Sequence, residues 1–346
     1  MVTVLQIGLG NFGRNHFRAW HELGYRGHLR VAEQDPARHA TAFALGFPEA
    51  HIAKDVGTFW AEADVIDIVT GTDSHFGLCR QALEDGKDVF VEKPMTLTAG
   101  DAEALAETVA RTGRILQVGY YYRYHPISRF LRDLVGSGEL GTVRYVDGSF
   151  MGFKRARTDV GVMHTDGIHF IDLVNWFLGA PPLDVYAVTR DHFGRGLEDL
   201  AIALFTYPGN VVVKIEAGYI QPGQWRDKVV PGAMTTKALT VMGSRKTVTA
   251  DYESETVEVF DVHHELRDEI WTAVNRGGQK PPVGTASPVE QVAAELRDFL
   301  HCVQTRAQPG PDARTCGVVL ARIIEALYAS GREHHRVDLA AAGREA

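Results

Sequence analysis

The chain has 346 residues, 45% of them hydrophobic and 23% charged, with a formal net charge of −8. That length exceeds one ordinary core and predicts two domains; the acidic balance argues against nucleic acid or anionic membrane as a partner. No apolar run approaches the roughly 20 residues of a membrane span, the start "MVTVLQIGLG" lacks the basic and long apolar regions of a secretory signal, and Cys79, Cys302 and Cys316 are scattered, so a reduced, cytoplasmic protein is expected.

Up to about residue 120, short apolar strands alternate with amphipathic helices, the βαβ rhythm of a parallel sheet. "VTVLQIG", "GHLRVAEQD", "VIDIVTGT", "DVFVEKP" and "RILQVGYY" read as strands, and "FGRNHFRAWHELG", "PARHATAFALG", "HFGLCRQALEDG" and "TAGDAEALAETVARTG" as helices. From Gly141 come longer alternating stretches: "GTVRYVDGSFMGF", "LDVYAVTRD", "DLAIALFTYP", "NVVVKIEAGYI", "KALTVMGSRKTVTADY" and "TVEVFDV". These suggest antiparallel strands with one covered and one open face. One helix, "DGIHFIDLVNWFLG", is embedded among them, and "SPVEQVAAELRDFLHCVQTR" and "ARTCGVVLARIIEALYASG" end the pattern. The expectation is an α/β chain. A doubly wound Rossmann sheet covers 1–122, and 123–346 forms an α+β substrate-binding and oligomerisation domain with a large, open, mostly antiparallel sheet.

"IGLGNFG" places Gly8, Gly10 and Gly13 between a strand and a helix, with Asn11 and Phe12 in the turn. This spacing gives a tight turn, close approach of backbone to a pyrophosphate, and close helix packing. The helix N-terminus then offers N–H groups to that phosphate. Glu33 follows at the end of the second strand, where a carboxylate binds ribose hydroxyls and repels a 2′-phosphate. With Gln34 beside it instead of an arginine, NAD is favoured over NADP. "DVFVEKPMT" sets Glu92, Lys93 and Pro94 after an apolar strand. Strand carboxyl ends are where ligands sit in parallel sheets, so Lys93 is expected to face the cofactor crevice; a solvent-facing lysine is the bland alternative.

Together these stretches, with His16 after the glycines, "QVGYYYRYHP" and "GIHFIDL", resemble the Gfo/Idh/MocA oxidoreductases, the group of glucose–fructose oxidoreductase and inositol dehydrogenase. The resemblance implies that Glu92-Lys93-Pro94 borders the nicotinamide, with Lys93 on the reacting hydroxyl. It implies that Thr70, Gly71, Thr72 and His75 line the cofactor, and that Arg123 contacts substrate or cofactor, an interface ion pair being its alternative. It further implies a homodimer or homotetramer.

"VMHTDGIHFID", residues 162–172, holds two histidines and two aspartates. On an α-helix, Phe170, Leu173, Val174 and Phe177 form an apolar stripe, and Thr165, His169, Asp172 and Trp176 share another face. Imidazole titrates near neutrality and suits a base that accepts a hydroxyl proton. Asp172 either orients that ring or pairs with a basic residue of the sheet. The resemblance also places the family's helix histidine at His169. Many of its dehydrogenases carry aspartate where this chain has Thr165; Asp166 stands next to it, and either side chain is alternatively the helix N-cap. His164 is a substrate contact or a solvent-facing residue. No metal is expected, because His164 and His169 point in different directions on an α-helix and three or four converging ligands are lacking.

The resulting expectation is hydride transfer between NAD and a secondary alcohol of a sugar, cyclitol or sugar derivative, with Lys93 and His169 carrying the proton chemistry. Tyr121, Tyr122, Lys154, Arg157 and Trp225 are candidate sugar contacts. Three rivals stand beside it: an NAD-using glycosidase, a non-catalytic NAD(H)-binding regulator, and a reductase of a non-sugar.

Overall fold

Strands β1 (Val4–Ile7), β4 (Val65–Ile68), β5 (Asp88–Glu92) and β6 (Leu116–Gly119) are buried at every position, as parallel strands covered on both faces must be. They were located in a computed structural model that describes residues 1–339. With β2 (Leu29–Ala32) and β3 (Ile52–Ala53) they form a six-stranded parallel sheet in the order β3-β2-β1-β4-β5-β6. The order reverses between β1 and β4, which opens the crevice that doubly wound sheets use for ligands. Helices α1 (Gly13–Glu22), α2 (Pro36–Ala44), α3 (Gly57–Trp60), α4 (His75–Glu84) and α5 (Ala99–Thr112) supply the connections. Their ends carry the expected signals. Asp35 caps α2 with Pro36 at its first position, Thr98 caps α5, and Gly113 closes α5 in the left-handed conformation.

Next in the chain come α6 (Pro126–Gly136) and β7 (Val143–Phe153), then α7 (Ile168–Leu178). Strands β8 (Asp184–Arg190), β9 (Leu200–Tyr207), β10 (Val211–Gly218), β11 (Trp225–Arg226), β12 (Met234–Gly243), β13 (Thr247–Asp251), β14 (Thr256–Arg267) and β15 (Ile270–Gln279) follow. With β16 (Val337–Asp338) they build a ten-stranded sheet ordered β15-β14-β13-β12-β7-β10-β9-β8-β16, with β11 beside β12. Among the described residues only β7 and β10 pair parallel in it, so the sheet is mixed and mostly antiparallel. Alternation along β9 sends Ala201, Ala203, Phe205 and Tyr207 inward and leaves Leu204 outward. Tyr186, Leu204 and Val212 are exposed on neighbouring strands. The stretch "KALTVMGSRKTVTADY" is two strands rather than one, folded back where Gly243 N–H bonds the Lys246 carbonyl.

The chain then forms α8 (Pro288–Thr305), whose Ser287 and Glu290 make a reciprocal capping box, and α9 (Val319–Glu333). The first compact unit comprises Met1–Tyr124 and Ala286–Ala321, and the second His125–Thr285 with Arg322 onward. The division expected at 122/123 lies two residues from the first crossing. The expected second domain, 123–346, is however interrupted: α8 packs on α1, Gln117 donates to the Glu295 carbonyl (3.2 Å) and Tyr124 to Asp298 (2.7 Å).

Candidate active site

The glycine turn after β1 is built by close approach. Gly8 has φ +103°, and a Cβ there would lie 2.4 Å from the Val69 carbonyl oxygen; one on Gly13 would lie 2.4 Å from the Gly8 oxygen. Buried Gln6 donates to both the Gly8 and Gly13 carbonyls at 2.8 Å and locks the loop from beneath, a role the sequence did not signal. At Gly10 the nearest group to an added Cβ is Arg38 Nη1 at 3.7 Å, so the backbone there is open to a ligand. Asn11 is exposed and Phe12 half-buried, its ring against His16 and Tyr121.

Glu33 is buried at the end of β2 and accepts the Leu9 N–H (2.6 Å) and Asp35 N–H (2.9 Å). Arg38 reaches it at 3.5 Å, while Gln34 is exposed. Arg38 lies six residues past the strand, on α2, and only the fold brings it to Glu33. This glycine cradle, with a carboxylate beside it and an open backbone at Gly10, fits an adenine dinucleotide. Thr70 bonds Ser74 (2.6 Å), and its methyl carbon lies 3.5 Å from a Cβ built on Gly8; Gly71 and buried Thr72 follow at the end of β4.

Lys93 is half-buried directly after β5, before a cis bond to Pro94. His75 Nδ1 lies 2.9 Å from the Pro94 carbonyl and so ties α4 to this turn. Glu92 Oε2 accepts the Lys93 N–H at 3.2 Å. Arg123 donates to Cys316 Sγ (3.3 Å) with its guanidinium 6.0 Å from the Tyr120 ring centre. Tyr121 and Tyr122 are buried against one another. Glycine turn, Glu33, Thr70–His75 and the lysine turn thus all belong to the first unit, at the carboxyl ends of its strands.

The second unit holds the histidine helix, and its start differs from the expectation. A wide π-helical turn, Met163–Gly167, precedes α7, and the Ile168 N–H reaches back five residues to the Met163 carbonyl. Thr165 and Asp166 therefore lie inside a continuous helix, and neither is its N-cap. Thr165 Oγ1 donates to the Gly161 carbonyl (2.8 Å), and Asp166 is buried in a pair with Lys154 at 2.6 Å. The Lys154 ammonium also sits 4.9 Å from the Phe150 ring centre, and Phe150 stacks on buried His169 at 6.2 Å. Asp172 is buried, and after burial itself its charge is what pushes the Tyr207 phenol up.

His164 joins a chain no sequence pattern revealed. Tyr328 donates to Glu198 (2.6 Å) and meets His164 Nδ1 at 3.2 Å, while Glu198 also accepts the Met163 N–H (3.0 Å). Burial raises the Glu198 carboxyl above its usual range. Arg157 pairs with Asp159, and Trp225 lies exposed on β11, donating to Asp251 (3.0 Å).

A model of an oxidoreductase family with an NAD-binding Rossmann fold matches residues 2–120, and the GFO/IDH/MocA C-terminal domain matches residues 128–249. The chain is similar to D-apiose dehydrogenase of Paraburkholderia graminis, with 27% identity covering 98% of this chain and 90% of that protein. It is also similar to UDP-N-acetylglucosamine 3-dehydrogenase of Acidithiobacillus ferrooxidans, with 30% identity covering 64% of this chain and 71% of that protein. A solved levoglucosan dehydrogenase, in complex with NADH and levoglucosan, shares the fold at a TM-score of 0.80 and 19% identity, covering 98% of this chain and 99% of that one. The chain belongs to the GFO/IDH/MocA oxidoreductase family.

Proposed function

We propose that this chain transfers hydride between NAD and a secondary alcohol or ketone of a sugar, cyclitol or sugar derivative. The observation that carries the reading is Lys93 at the carboxyl end of β5, on the same edge of the parallel sheet as the glycine cradle and Glu33. The names of the relatives, all dehydrogenases of sugars or sugar derivatives, support the substrate class. NAD, when bound, supplies the hydride chemistry at its nicotinamide.

The chain's own side chains handle the proton. His169 takes it from the substrate hydroxyl, since imidazole titrates near neutrality, and the Lys93 ammonium stabilises the oxygen that loses it. With Thr165 turned back on Gly161 and Asp166 held by Lys154, His169 is the base on this helix. Asp172 supports it from within α7, and Arg123 and His164 are polar contacts of substrate or cofactor. Glu33 favours NAD, because a carboxylate at the end of β2 repels a 2′-phosphate and Arg38, 3.5 Å away, is paired to that carboxylate. Three buried free cysteines support a reducing, cytoplasmic setting, and the outward Tyr186, Leu204 and Val212 support a homodimer or homotetramer.

The test is NADH absorbance across a panel of polyols, sugars and sugar derivatives with both cofactors. Lys93→Ala and His169→Ala are each expected to lower kcat by about 10²–10⁴. No turnover on any alcohol, or variants as active as the parent, would overturn the mechanism. Glycoside cleavage without net NADH would move the chain to the glycosidases, and a preference for NADP would overturn the reading of Glu33.

A further inference from the structure

The lysine turn is held by a buried ionic cluster that the hydride mechanism does not use. Glu92 Oε1 lies 3.1 Å from His16 Nε2, and the opposite ring nitrogen, Nδ1, lies 3.1 Å from both oxygens of Asp67. Trp20 donates to Asp67 Oδ2 at 2.6 Å. His16 and Asp67 are wholly buried, and Glu92 is 6% exposed. Ionised carboxylates only accept hydrogen bonds, so an imidazole with carboxylates on both nitrogens carries a hydrogen on each. His16 is thus an imidazolium. Burial alone would lower its pKa, but Asp67 first and then Glu92 raise it to about 10. Gly119, opposite Glu92 on β6, makes the room: a Cβ there would lie 2.4 Å from Glu92 Oε1.

A fourth group completes the cluster. Glu295, on α8, is 0% exposed with neither carboxyl oxygen hydrogen-bonded, and it lies within 4.8 Å of the facing atoms of His16 and Glu92. Three ionised acids around one imidazolium would leave two uncompensated charges in a dry interior. Burial, then the charge of Glu92, push the Glu295 carboxyl well above its usual range, so it is the acid that keeps its proton.

We propose that His16 is a positioning residue for Lys93: clamped as an imidazolium between Asp67 and Glu92, it fixes the Glu92 carboxylate and through it the Lys93 backbone. His16 sits one turn into α1, the helix that opens at the glycine cradle, so the clamp sets the lysine turn against the element that receives the cofactor. This rests on the assignment of Lys93 to the reacting oxygen. Loss of the clamp therefore lowers turnover through Lys93 and leaves cofactor affinity nearly unchanged.

The experiment compares the full chain with His16→Gln, Glu92→Gln, Lys93→Ala and the His16→Gln/Lys93→Ala double variant. It measures kcat on an alcohol found by the panel, NADH dissociation constants by fluorescence, and metal content of the purified protein. The expected result is a kcat at least about tenfold lower in His16→Gln and Glu92→Gln, NADH affinity within about threefold of the parent, and a double variant no slower than Lys93→Ala alone. Additive losses, or NADH affinity falling in step with kcat, would overturn positioning in favour of a general structural role. Lys93→Ala inactive beside a fully active His16→Gln would overturn positioning alone; Lys93→Ala as active as the parent would overturn the functional reading and this one with it. If His16→Gln does not fold, Glu92→Gln carries the same comparison. A stoichiometric divalent metal bound through His16, Glu92 and Glu295 would overturn the imidazolium.

Discussion

His16 and His125 are equally buried, at 0% and 2% exposure, yet the first is a cation and the second neutral. Burial pulls both toward neutrality. At His16, Asp67 and Glu92 reverse it in direct hydrogen bonds. At His125 burial prevails, and the pKa is lowered to about 4. Its Nδ1 accepts the Ile127 N–H (3.1 Å) as the N-cap of α6 and so carries no proton, Glu255 stands off at 3.7 Å, and Lys228 and Lys237 oppose the charge further. Direct carboxylate contact, not depth, decides whether a buried imidazole is a cation here.

The comparison breaks most visibly at Asp67. Asp67→Asn removes the stronger partner of a buried cation and is expected to cost roughly 3–5 kcal/mol in urea unfolding. It also moves a pH limb. A histidine whose folded pKa is raised lends stability that is fully present below the unfolded value of 6.5 and is lost as pH rises through about 10. In Asp67→Asn the folded value falls, so that loss is smaller and is complete nearer neutrality, which melting curves across alkaline buffers will show.

His125 works in the opposite direction. Neutral in the fold and protonated when unfolded, it makes stability fall as pH drops from 6.5 toward about 4, by on the order of 2–3 kcal/mol. His125→Asn keeps an oxygen to cap Ile127 and should flatten this acid limb while costing about 1 kcal/mol at neutral pH. Smallest is Glu255→Gln. If distance makes Glu255 a weak partner, neutral-pH stability changes by about 1 kcal/mol or less; a larger loss would show that a carboxylate at this remove still governs the ring.

The parallel sheet was legible because its strands are short, apolar and punctuated by glycine and proline, and the glycine turn carried its own spacing. Helix α6 was legible in principle, with Pro126 at its start and Ile127, Leu131 and Leu134 on one face, although no element was predicted there. Strand β15 was not, because most of its residues are exposed and impose no alternation. The turn before α7 shows a harder limit. Residue spacing presumes α-helical geometry, and a wide turn at Met163–Gly167 changes which side chains align without a local sequence mark. The His16 cluster was beyond pattern reading altogether: its members stand on α1, β4, β5 and α8, and only the fold joins them. Arg38 and Tyr328 escaped for the same reason.

The late return of Ala286–Ala321 to the first unit fixes an order in time as well as in space. As the chain is synthesised, α1, β4 and β5 emerge long before α8. Until α8 arrives, the wall that carries Glu295 is missing and water can reach His16 and Glu92. The unusual proton inventory of the cluster therefore belongs to the finished protein alone, and a fragment ending at Tyr124 would carry His16 with a pKa closer to that of an ordinary histidine.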